Sequence, residues 1–320
     1  MSHRQLEAAP LQCAPAVLMV RPASFGYNAQ TAQSNRFQRQ AEADGTLPEQ
    51  ALAEFAQLQA ALSAAGVRTC VVEDTRQPIK PDAVFPNNWV SFHTDGSIVL
   101  YPMHADNRRL ERRLDVLAEV ERELSFRCRH LLDFSAAERG SRYLEGTGSL
   151  VLDHVERVAY ACRSVRTDEG LVREWARAMR YDAELFDAAG MDGAPIYHTN
   201  VMLSIGSRCA LLCADAVSSN DRERLRARLM SSGRELIEIG MQAMGAFAGN
   251  VLELCAKTAQ GAGRSVLVMS ARARAAFNAG QWARINASVD CVIDVPVPTI
   301  ETLGGGGVRC MLAEVPVSQT

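Results

Sequence analysis

The stretch Glu301-Thr302-Leu303-Gly304-Gly305-Gly306-Gly307-Val308-Arg309-Cys310-Met311 combines four consecutive glycines with one cysteine. Glycine can adopt positive φ and lets a backbone approach a ligand closely, so the run predicts a tight, ligand-facing bend. Apolar residues alternate from there to Val315, which predicts a strand that carries Cys310. A phosphate-binding loop would need a following helix and a Lys–Ser/Thr pair, and the sequence indicates neither. Two interpretations stay open: a reactive thiol beside the cation Arg309, or a buried structural cysteine.

The composition is that of an ordinary globular protein. Of the 320 residues, 48% are hydrophobic and 22% are charged, with a formal net charge of −3. No basic block predicts nucleic-acid binding, and no apolar run reaches membrane-spanning length. The first residues lack the apolar core of a signal peptide, and the nine cysteines show no paired spacing. We therefore expect a cytoplasmic protein with reduced thiols and no nucleic-acid or membrane partner; the oligomeric state is not indicated.

One order of elements, strand–helix–strand–strand, recurs five times. The units cover residues 16–92, 98–152, 158–205, 209–254 and 265–315. The last strand of each unit follows an asparagine or glycine, namely Asn88, Gly148, Asn200, Asn250 and Gly307. Repetition at this period is typical of a closed, propeller-like architecture. We therefore predict one α/β domain over residues 1–320, with five units arranged about a common axis.

Closure of the five units would gather polar residues that are distant in sequence. These are Asn88, Glu145, His198, Asn200, Asn250 and Cys310. Each has a structural explanation by itself: a packed histidine, a solvated carboxylate, turn-forming asparagines. Together, a thiol, an imidazole and a carboxylate are the components of nucleophilic catalysis. A metal site is not expected, because Cys209 and Cys213 have no second close Cys or His pair and fit two same-face strand residues.

A long polar segment, Ser24 to Gln40, carries the aromatic residues Phe25, Tyr27 and Phe37. Connections of this length inside a domain are often lids over a site. A solvated connection is the alternative interpretation, and the sequence does not separate the two.

Three segments resemble the guanidino-modifying superfamily. They are Gly-Gly-Gly-Val308-Arg309-Cys310-Met311, Leu144-Glu145-Gly146 and His198-Thr199-Asn200. The superfamily includes arginine deiminases, dimethylarginine dimethylaminohydrolases, succinylarginine dihydrolase and amidinotransferases. Phe85-Pro86-Asn87-Asn88-Trp89-Val90-Ser91-Phe92-His93 and the segment after Val20-Arg21-Pro22 are more similar to a bacterial branch of arginine-deiminase-related citrulline-utilisation hydrolases. The resemblance covers about residues 16–314 and implies the five-bladed pentein α/β propeller.

The resemblance also implies roles for particular residues. Cys310 would be the nucleophile, His198 the general acid/base, and Glu145 the carboxylate that binds a substrate nitrogen and orients His198. Two positions depart from the family pattern. Guanidine-acting relatives usually have Asp where this chain has Asn200, and the early Asp of deiminases corresponds to Asn88, with Asp82 close by.

These departures bear on the substrate. A buried guanidinium favours carboxylate partners, whereas a ureido group is neutral and offers one carbonyl acceptor and N–H donors. An asparagine can match both kinds of ureido atom, so Asn88 and Asn200, with Glu145 as the only carboxylate at these positions, favour citrulline over arginine. Further candidates for substrate binding are Asp82 and Asn250, and, for the α-carboxylate and α-amine, Arg21, Asn28 and Arg309.

The predicted function is hydrolysis of a small arginine-related substrate through a covalent bond to Cys310. The preferred substrate is citrulline, converted to ornithine, ammonia and carbon dioxide without cofactor or metal. A guanidine-acting deiminase, dimethylaminohydrolase or amidinotransferase is the first alternative. A catalytically silent pentein scaffold is the second.

Overall fold

The computed structural model describes residues 11–40, 45–257 and 263–317, which form strands and helices of a mixed α/β fold. The strands are β1 Ala16–Arg21, β2 Arg68–Glu73, β3 Val90–Phe92, β4 Ser97–Leu100, β5 His130–Asp133, β6 Val151–Asp153, β7 Val158–Cys162, β8 Asp182–Phe186, β9 Leu203–Ile205, β10 Cys209–Leu212, β11 Glu235–Glu238, β12 Leu252–Lys257, β13 Gly263–Ser270, β14 Cys291–Val295 and β15 Ala313–Val315. The helices are α1 Ala29–Ala32, α2 Leu47–Ala64, α3 Asp106–Arg109, α4 Leu114–Leu124, α5 Gly146–Ser149, α6 Glu169–Met179, α7 Ser219–Ser231, α8 Met241–Gly245, α9 Ala271–Ala275, α10 Ala279–Ser288 and α11 Pro298–Gly304. No helix in these ranges is long and apolar enough to cross a membrane.

The strands pair into three-stranded sheets with one shared plan. Their orders are β15-β1-β2, β3-β4-β5, β6-β7-β8, β9-β10-β11 and β12-β13-β14. In every sheet the middle strand is antiparallel to the first strand named and parallel to the last. The parallel partner follows after a helical crossover, as parallel pairing requires.

The sheets group the strands differently from the predicted repeat units. The strand that ends each predicted unit pairs with the first strand of the following unit, as in the register Val90↔Leu100 between β3 and β4. A tight turn, in which the His93 N–H donates to the Ser97 carbonyl over 2.9 Å, joins these two strands. β15 completes the first sheet by pairing with β1, in the register Ala16↔Val315.

The core follows from the apolar faces of these elements. Phe55, Leu58 and Leu62 form the buried face of α2 and lie in one cluster with Val17 and Met19 of β1. β1 is buried along nearly its whole length, and its sequence is accordingly a continuous apolar run, as in parallel sheets covered on both sides. Each such buried side chain contributes roughly 1.5–3 kcal/mol.

Two predicted elements are interrupted. The spacing of apolar residues predicts one helix from Asn107 to Leu124, whereas the structure has α3 and α4 there, because Arg113 is extended (φ −108°, ψ 117°) between them. The strand expected from Val308 to Val315 begins only at Ala313, and the residues 308–311 form a 3₁₀ turn. Cys310 therefore lies on a turn that precedes a strand. The direction of its side chain is set by this turn and not by the alternation of side chains along a strand.

Candidate active site

A cavity with about 270 Å³ of empty volume, part of it open to solvent, lies beside the turn that carries Cys310. Its lining comes from segments far apart in sequence, namely Thr31, Asn35, Asp82, Phe85, Asn88, Arg108, Arg166, Tyr197, His198, Gly304, Gly305, Gly306 and Cys310. Four of the predicted site residues are in this set: Asp82, Asn88, His198 and Cys310. Glu145, Asn200 and Asn250 lie directly behind it, in contact with His198 or Cys310.

The glycine run brings its backbone close to other parts of the cavity wall. α11 ends at Gly304, and Gly305 adopts the left-handed conformation (φ 64°) that favours glycine. A Cβ at Gly304 would come within 2.6 Å of the Phe85 ring, and one at Gly305 within 2.6 Å of Asn35. The predicted bend is therefore present, and close packing at these positions is what excludes larger residues.

The Cys310 sulfur is 3.3 Å from Asn250 Nδ2 and 3.6 Å from Asn200 Nδ2. The Cys310 side chain is almost wholly buried. Burial raises the pKa of the Cys310 thiol, and hydrogen bonding to Asn250, the charge of Arg309 and hydrogen bonding to Asn200 act in the opposite direction.

Glu145 and His198 form a buried hydrogen-bonded pair. His198 Nε2 lies 2.8 Å from Glu145 Oε2, and the His104 backbone N–H donates to Glu145 Oε1 over 3.0 Å. Arg166 Nη1 donates to Glu145 Oε2 over 3.3 Å. Burial disfavours the charged carboxylate, but Arg166 and His198 outweigh it and hold the pKa of Glu145 well below its usual range. Glu145 is therefore ionised at neutral pH.

Burial determines the protonation state of His198, and the ionised Glu145 determines its tautomer. Burial lowers the pKa of His198 to about 4, against the opposing effect of Glu145, so the imidazole is neutral at neutral pH. Its one N–H donates from Nε2 to the carboxylate, which leaves Nδ1 as a proton acceptor. Gly148 leaves room for this arrangement, because a Cβ there would lie 2.7 Å from His198 Nδ1 and 2.5 Å from Asn88 Nδ2.

Asn88 presents an unused donor. Its Oδ1 accepts a hydrogen bond from Arg108 Nη1 over 2.9 Å, which fixes the orientation of the amide. Its Nδ2 is buried and has no hydrogen-bond partner among the described residues. Arg108 is held in turn by Glu111 through two contacts of 2.9 Å. A ligand that offers an acceptor next to Asn88 would satisfy this donor.

Asp82 presents an unused acceptor. Its Oδ2 accepts from Asn28 Nδ2 over 2.7 Å and from Thr31 Oγ1 over 3.2 Å. Its Oδ1 is buried without a hydrogen-bond partner in the described part of the chain, and burial raises the pKa of this carboxyl. Asp82 therefore adds a second carboxylate to the site beside Glu145, and Glu111 lies behind Arg108.

The segment from Ser24 to Gln40 lies against the cavity. Asn35 Nδ2 donates to the carbonyl oxygens of Gly304 and Gly305 over 3.2 and 3.3 Å. Arg166 Nη2 donates to the Thr31 carbonyl over 3.0 Å and to Ser34 Oγ over 2.7 Å. These contacts place the segment over the site as a wall, with a short helix, α1, within it.

Three predicted substrate-binding residues point elsewhere. Arg21 forms an ion pair with Glu73 at 2.9 Å and bonds to Gln59, at the end of β1 and outside the cavity lining. Arg309 bonds to the Leu312 carbonyl and to Glu314 and lines a second cavity. Asn28 is outside the cavity lining, and its Nδ2 donates to Asp82, which belongs to the lining.

Asn200 and Asn250 contact the sulfur and are outside the cavity lining. The prediction that Asn200 pairs with substrate is therefore not supported by its position. Backbone geometry explains the difference, because Asn200 lies within the 3₁₀ turn Thr199–Val201 and its side chain reaches Cys310.

Sequence reasoning missed Arg108, Arg166 and Tyr197. The two arginines lie in polar stretches that are typical of solvated surface, yet both are buried and face carboxylates. Tyr197 OH donates to the Gly305 carbonyl over 2.6 Å. A buried arginine leaves no local sequence signal, so only the three-dimensional structure identifies these residues. No cluster of three or more His, Cys, Asp or Glu suited to a metal ion occurs among the described residues.

Comparison with known proteins places the chain in a family. The model of a family described as N,N dimethylarginine dimethylhydrolase, eukaryotic, matches residues 21–317. None of the curated proteins matches. The fold is similar to the N-terminal domain of ArgZ, an arginine dihydrolase from the ornithine–ammonia cycle in cyanobacteria, solved with substrate bound (TM-score 0.71, 14% identity, 95% of this chain and 99% of that one).

Two further structures share the fold. Unliganded AgrE has a TM-score of 0.72 at 16% identity, and the match covers 95% of this chain and 40% of AgrE. A dimethylarginine dimethylaminohydrolase carrying an adduct with S-methyl-L-thiocitrulline has a TM-score of 0.63 at 14% identity, covering 94% and 99% of the two chains. At these identities the likeness concerns the fold.

Proposed function

We propose that this chain, which belongs to the N,N dimethylarginine dimethylhydrolase family and to the guanidino-modifying pentein superfamily, hydrolyses the ureido group of citrulline. The observation that carries the choice of substrate is the unpartnered Nδ2 donor of Asn88 in the cavity wall. A ureido carbonyl is an acceptor that would pair with this donor, whereas a guanidinium has donors alone. A buried donor without a partner costs about 1–3 kcal/mol, which ureido binding would recover.

Cys310 is the proposed nucleophile. Its thiol is buried and protonated in the free protein, since burial raises its pKa. His198 Nδ1 is the acceptor for this proton, because Nε2 is committed to Glu145. The sulfur then attacks the ureido carbon, and the S–C bond forms as the thiolate donates its electron pair.

The histidine next returns the proton to a departing nitrogen, and the C–N bond breaks. If the amine of ornithine departs, a carbamoyl group remains on sulfur. Water, deprotonated by His198, cleaves the S–C bond and releases carbamate, which yields ammonia and carbon dioxide. The overall reaction converts citrulline and water to ornithine, ammonia and carbon dioxide. No cofactor takes part in this scheme.

The proposal includes the closed arrangement of the sheets. Glu145, His198, Asn200, Asn250 and Cys310 each precede a strand that opens a sheet. Their mutual contacts support an arrangement in which the corresponding ends of the sheets surround one axis, as in a five-bladed propeller.

A second candidate is hydrolysis of the guanidino group of arginine or a methylated arginine. The unpartnered Asp82 Oδ1 favours it, because a buried carboxylate oxygen is a suitable partner for a cation. Two proteins of similar fold also favour it, since ArgZ is described as an arginine dihydrolase and the other as a dimethylarginine dimethylaminohydrolase. Asp82 also pairs with Arg108 at 3.8 Å, which offsets part of its charge. We therefore rank this candidate second.

One assay separates the candidates. Purified protein is incubated with citrulline, arginine and methylated arginines, and ornithine, citrulline and ammonia are quantified. Ornithine formed fastest from citrulline supports the proposal. Citrulline formed from arginine, or a higher kcat/KM for a guanidino substrate, replaces it by the second candidate. Absence of turnover with all substrates, in a protein that is folded, would indicate a silent scaffold.

A further inference from the structure

The amides of Asn200 and Asn250 approach the Cys310 sulfur from outside the lining of the cavity. Their Nδ2 atoms lie 3.6 and 3.3 Å from the sulfur, and both side chains are buried. Neither residue lines the cavity. The Cys310 sulfur is therefore the reactive group that both amides contact.

The orientation of the Asn250 amide is determined by a second contact. Asn250 Nδ2 also donates to the main-chain carbonyl of Asn200 over 2.9 Å. One nitrogen with two hydrogens thus faces two acceptors, a carbonyl oxygen and the sulfur. Gly307 permits this position, because a Cβ there would lie 2.8 Å from Asn250 Oδ1.

We propose that Asn200 and Asn250 form an amide cradle that positions the Cys310 sulfur and stabilises its thiolate, so that they act on the nucleophile and do not contact substrate. The proposal rests on the proposed function, in which Cys310 is the nucleophile. It assigns both residues as positioning residues.

An amide suits both protonation states of the thiol. The sulfur is 3.6 Å from Asn250 Oδ1, which can accept the S–H, and 3.3 Å from Asn250 Nδ2, which can donate to the thiolate. Asn200 offers the same two atoms at 3.9 and 3.6 Å. A carboxylate at either position could only accept, so it would stabilise the thiol and repel the thiolate. This explains asparagine at position 200 without any reference to substrate charge.

The test measures the pH dependence of Cys310 thiol reactivity in the absence of substrate. The rate of Cys310 alkylation by iodoacetamide is followed against pH, and the modified peptide is quantified by mass spectrometry. Thiolate is the reacting species, so the midpoint of the rate profile reports its formation. We expect Asn200→Asp and Asn250→Asp each to raise this midpoint by about one pH unit or more, which is about tenfold slower alkylation at a fixed pH below it. Asn250→Ala, which adds no charge, should raise it by less.

Asn88→Asp is the matched control, because it also converts a buried asparagine to a carboxylate, but the Asn88 amide bonds to Arg108 and not to the sulfur. Its midpoint should move by less than half as much. Equal shifts in all three Asp variants, or no shift in folded Asn200→Asp and Asn250→Asp, would overturn the cradle. Thermal melts establish folding, and Asn200→Asp and Asn250→Ala carry the test if Asn250→Asp does not fold. Since no substrate is used, the result is independent of whether citrulline is hydrolysed.

Discussion

His198 Nε2 lies 2.8 Å from Glu145 Oε2, and both side chains are closed off from solvent. This contact determines which nitrogen of the imidazole can accept a proton in the proposed reaction. Arg166 Nη1 lies 3.3 Å from the same Glu145 oxygen, and the charge of this guanidinium keeps Glu145 ionised. The acid–base chemistry of the site therefore depends on an arginine that the sequence does not mark.

Cys310→Ser should reduce turnover by several orders of magnitude while the fold is retained, because a covalent nucleophile is removed. The controls are Cys213→Ser, which is also buried, and Cys128→Ser, which is exposed. Both should retain turnover. Steady-state rates and a thermal melt for each variant provide the measurement, and near-normal turnover in Cys310→Ser would exclude the mechanism.

Gly148→Ala should lower kcat/KM by at least about tenfold. The new Cβ would lie 2.5 Å from Asn88 Nδ2 and 2.7 Å from His198 Nδ1, so one or both must move, and small displacements of catalytic groups are costly. Gly245→Ala is the control, since it is also helical and a Cβ there meets nothing within 4 Å. Equal effects of the two substitutions would contradict the assigned geometry.

The stability of the protein should fall between pH 6.5 and 4 partly through His198. Its folded-state pKa of about 4 is below the unfolded value of 6.5, so the unfolded chain alone gains a proton over this range. Between pH 7 and pH 4.5, the unfolding free energy of the wild type should fall by about 2–3 kcal/mol more than that of His198→Asn. This follows from the size of the pKa shift, since each pKa unit is about 1.4 kcal/mol. Urea unfolding at both pH values measures it. His130→Asn, on exposed β5, should follow the wild type, and parallel losses in all three proteins would refute the assignment.

Asn88→Asp should separate ureido from guanidino substrates. The carboxylate keeps the acceptor for Arg108 but removes the Nδ2 donor, so citrulline turnover should fall roughly tenfold or more. The value of kcat/KM for arginine should fall less or rise. Asn107→Asp, an amide bonded to Asn28 outside the cavity lining, is the control. An equal fall for citrulline and arginine would argue against Asn88 as the ureido partner.

Saturating citrulline should slow amide exchange in the segment from Ser24 to Gln40. Its Asn35 and Thr31 side chains line the cavity, so an occupied cavity adds contacts that would oppose local opening of this segment. Exchange in α7 serves as the internal reference. If hydrogen-exchange mass spectrometry shows no change in this segment, the segment is a fixed wall and the lid interpretation fails.

The strands and the polar residues before them could be predicted from the sequence, because alternating apolar residues and the asparagines that precede strands are local signals. Sequence reasoning placed Glu145, His198 and Cys310 near one another, and the structure brings Glu145 to His198 and places His198 and Cys310 on one cavity. It did not anticipate that Asn200 and Arg309 lie outside the lining of this cavity, because side-chain direction depends on whether a residue belongs to a turn or a strand. Cys310 and Arg309 are neighbours in one 3₁₀ turn, yet they line different cavities.

The buried ion pairs could not be anticipated. Arg108 follows Asn107 and precedes Arg109 and Leu110, a pattern typical of surface, but it is buried against Glu111 and Asn88. The break between α3 and α4 that permits this position has no glycine or proline to announce it. Such pairs are specified by long-range packing, which is absent from any window of sequence.

β15 pairs with β1, so the first sheet is completed by residues from opposite ends of the described chain. During synthesis, one edge of β1 stays without its antiparallel partner until β15 has emerged, and an open edge can pair with other chains. The turn with Cys310 directly precedes β15, so the thiol reaches its place at this same late stage. A nascent chain would thus carry most of the cavity lining before it acquires the proposed nucleophile, and the proposed activity would begin only after β15 has paired with β1.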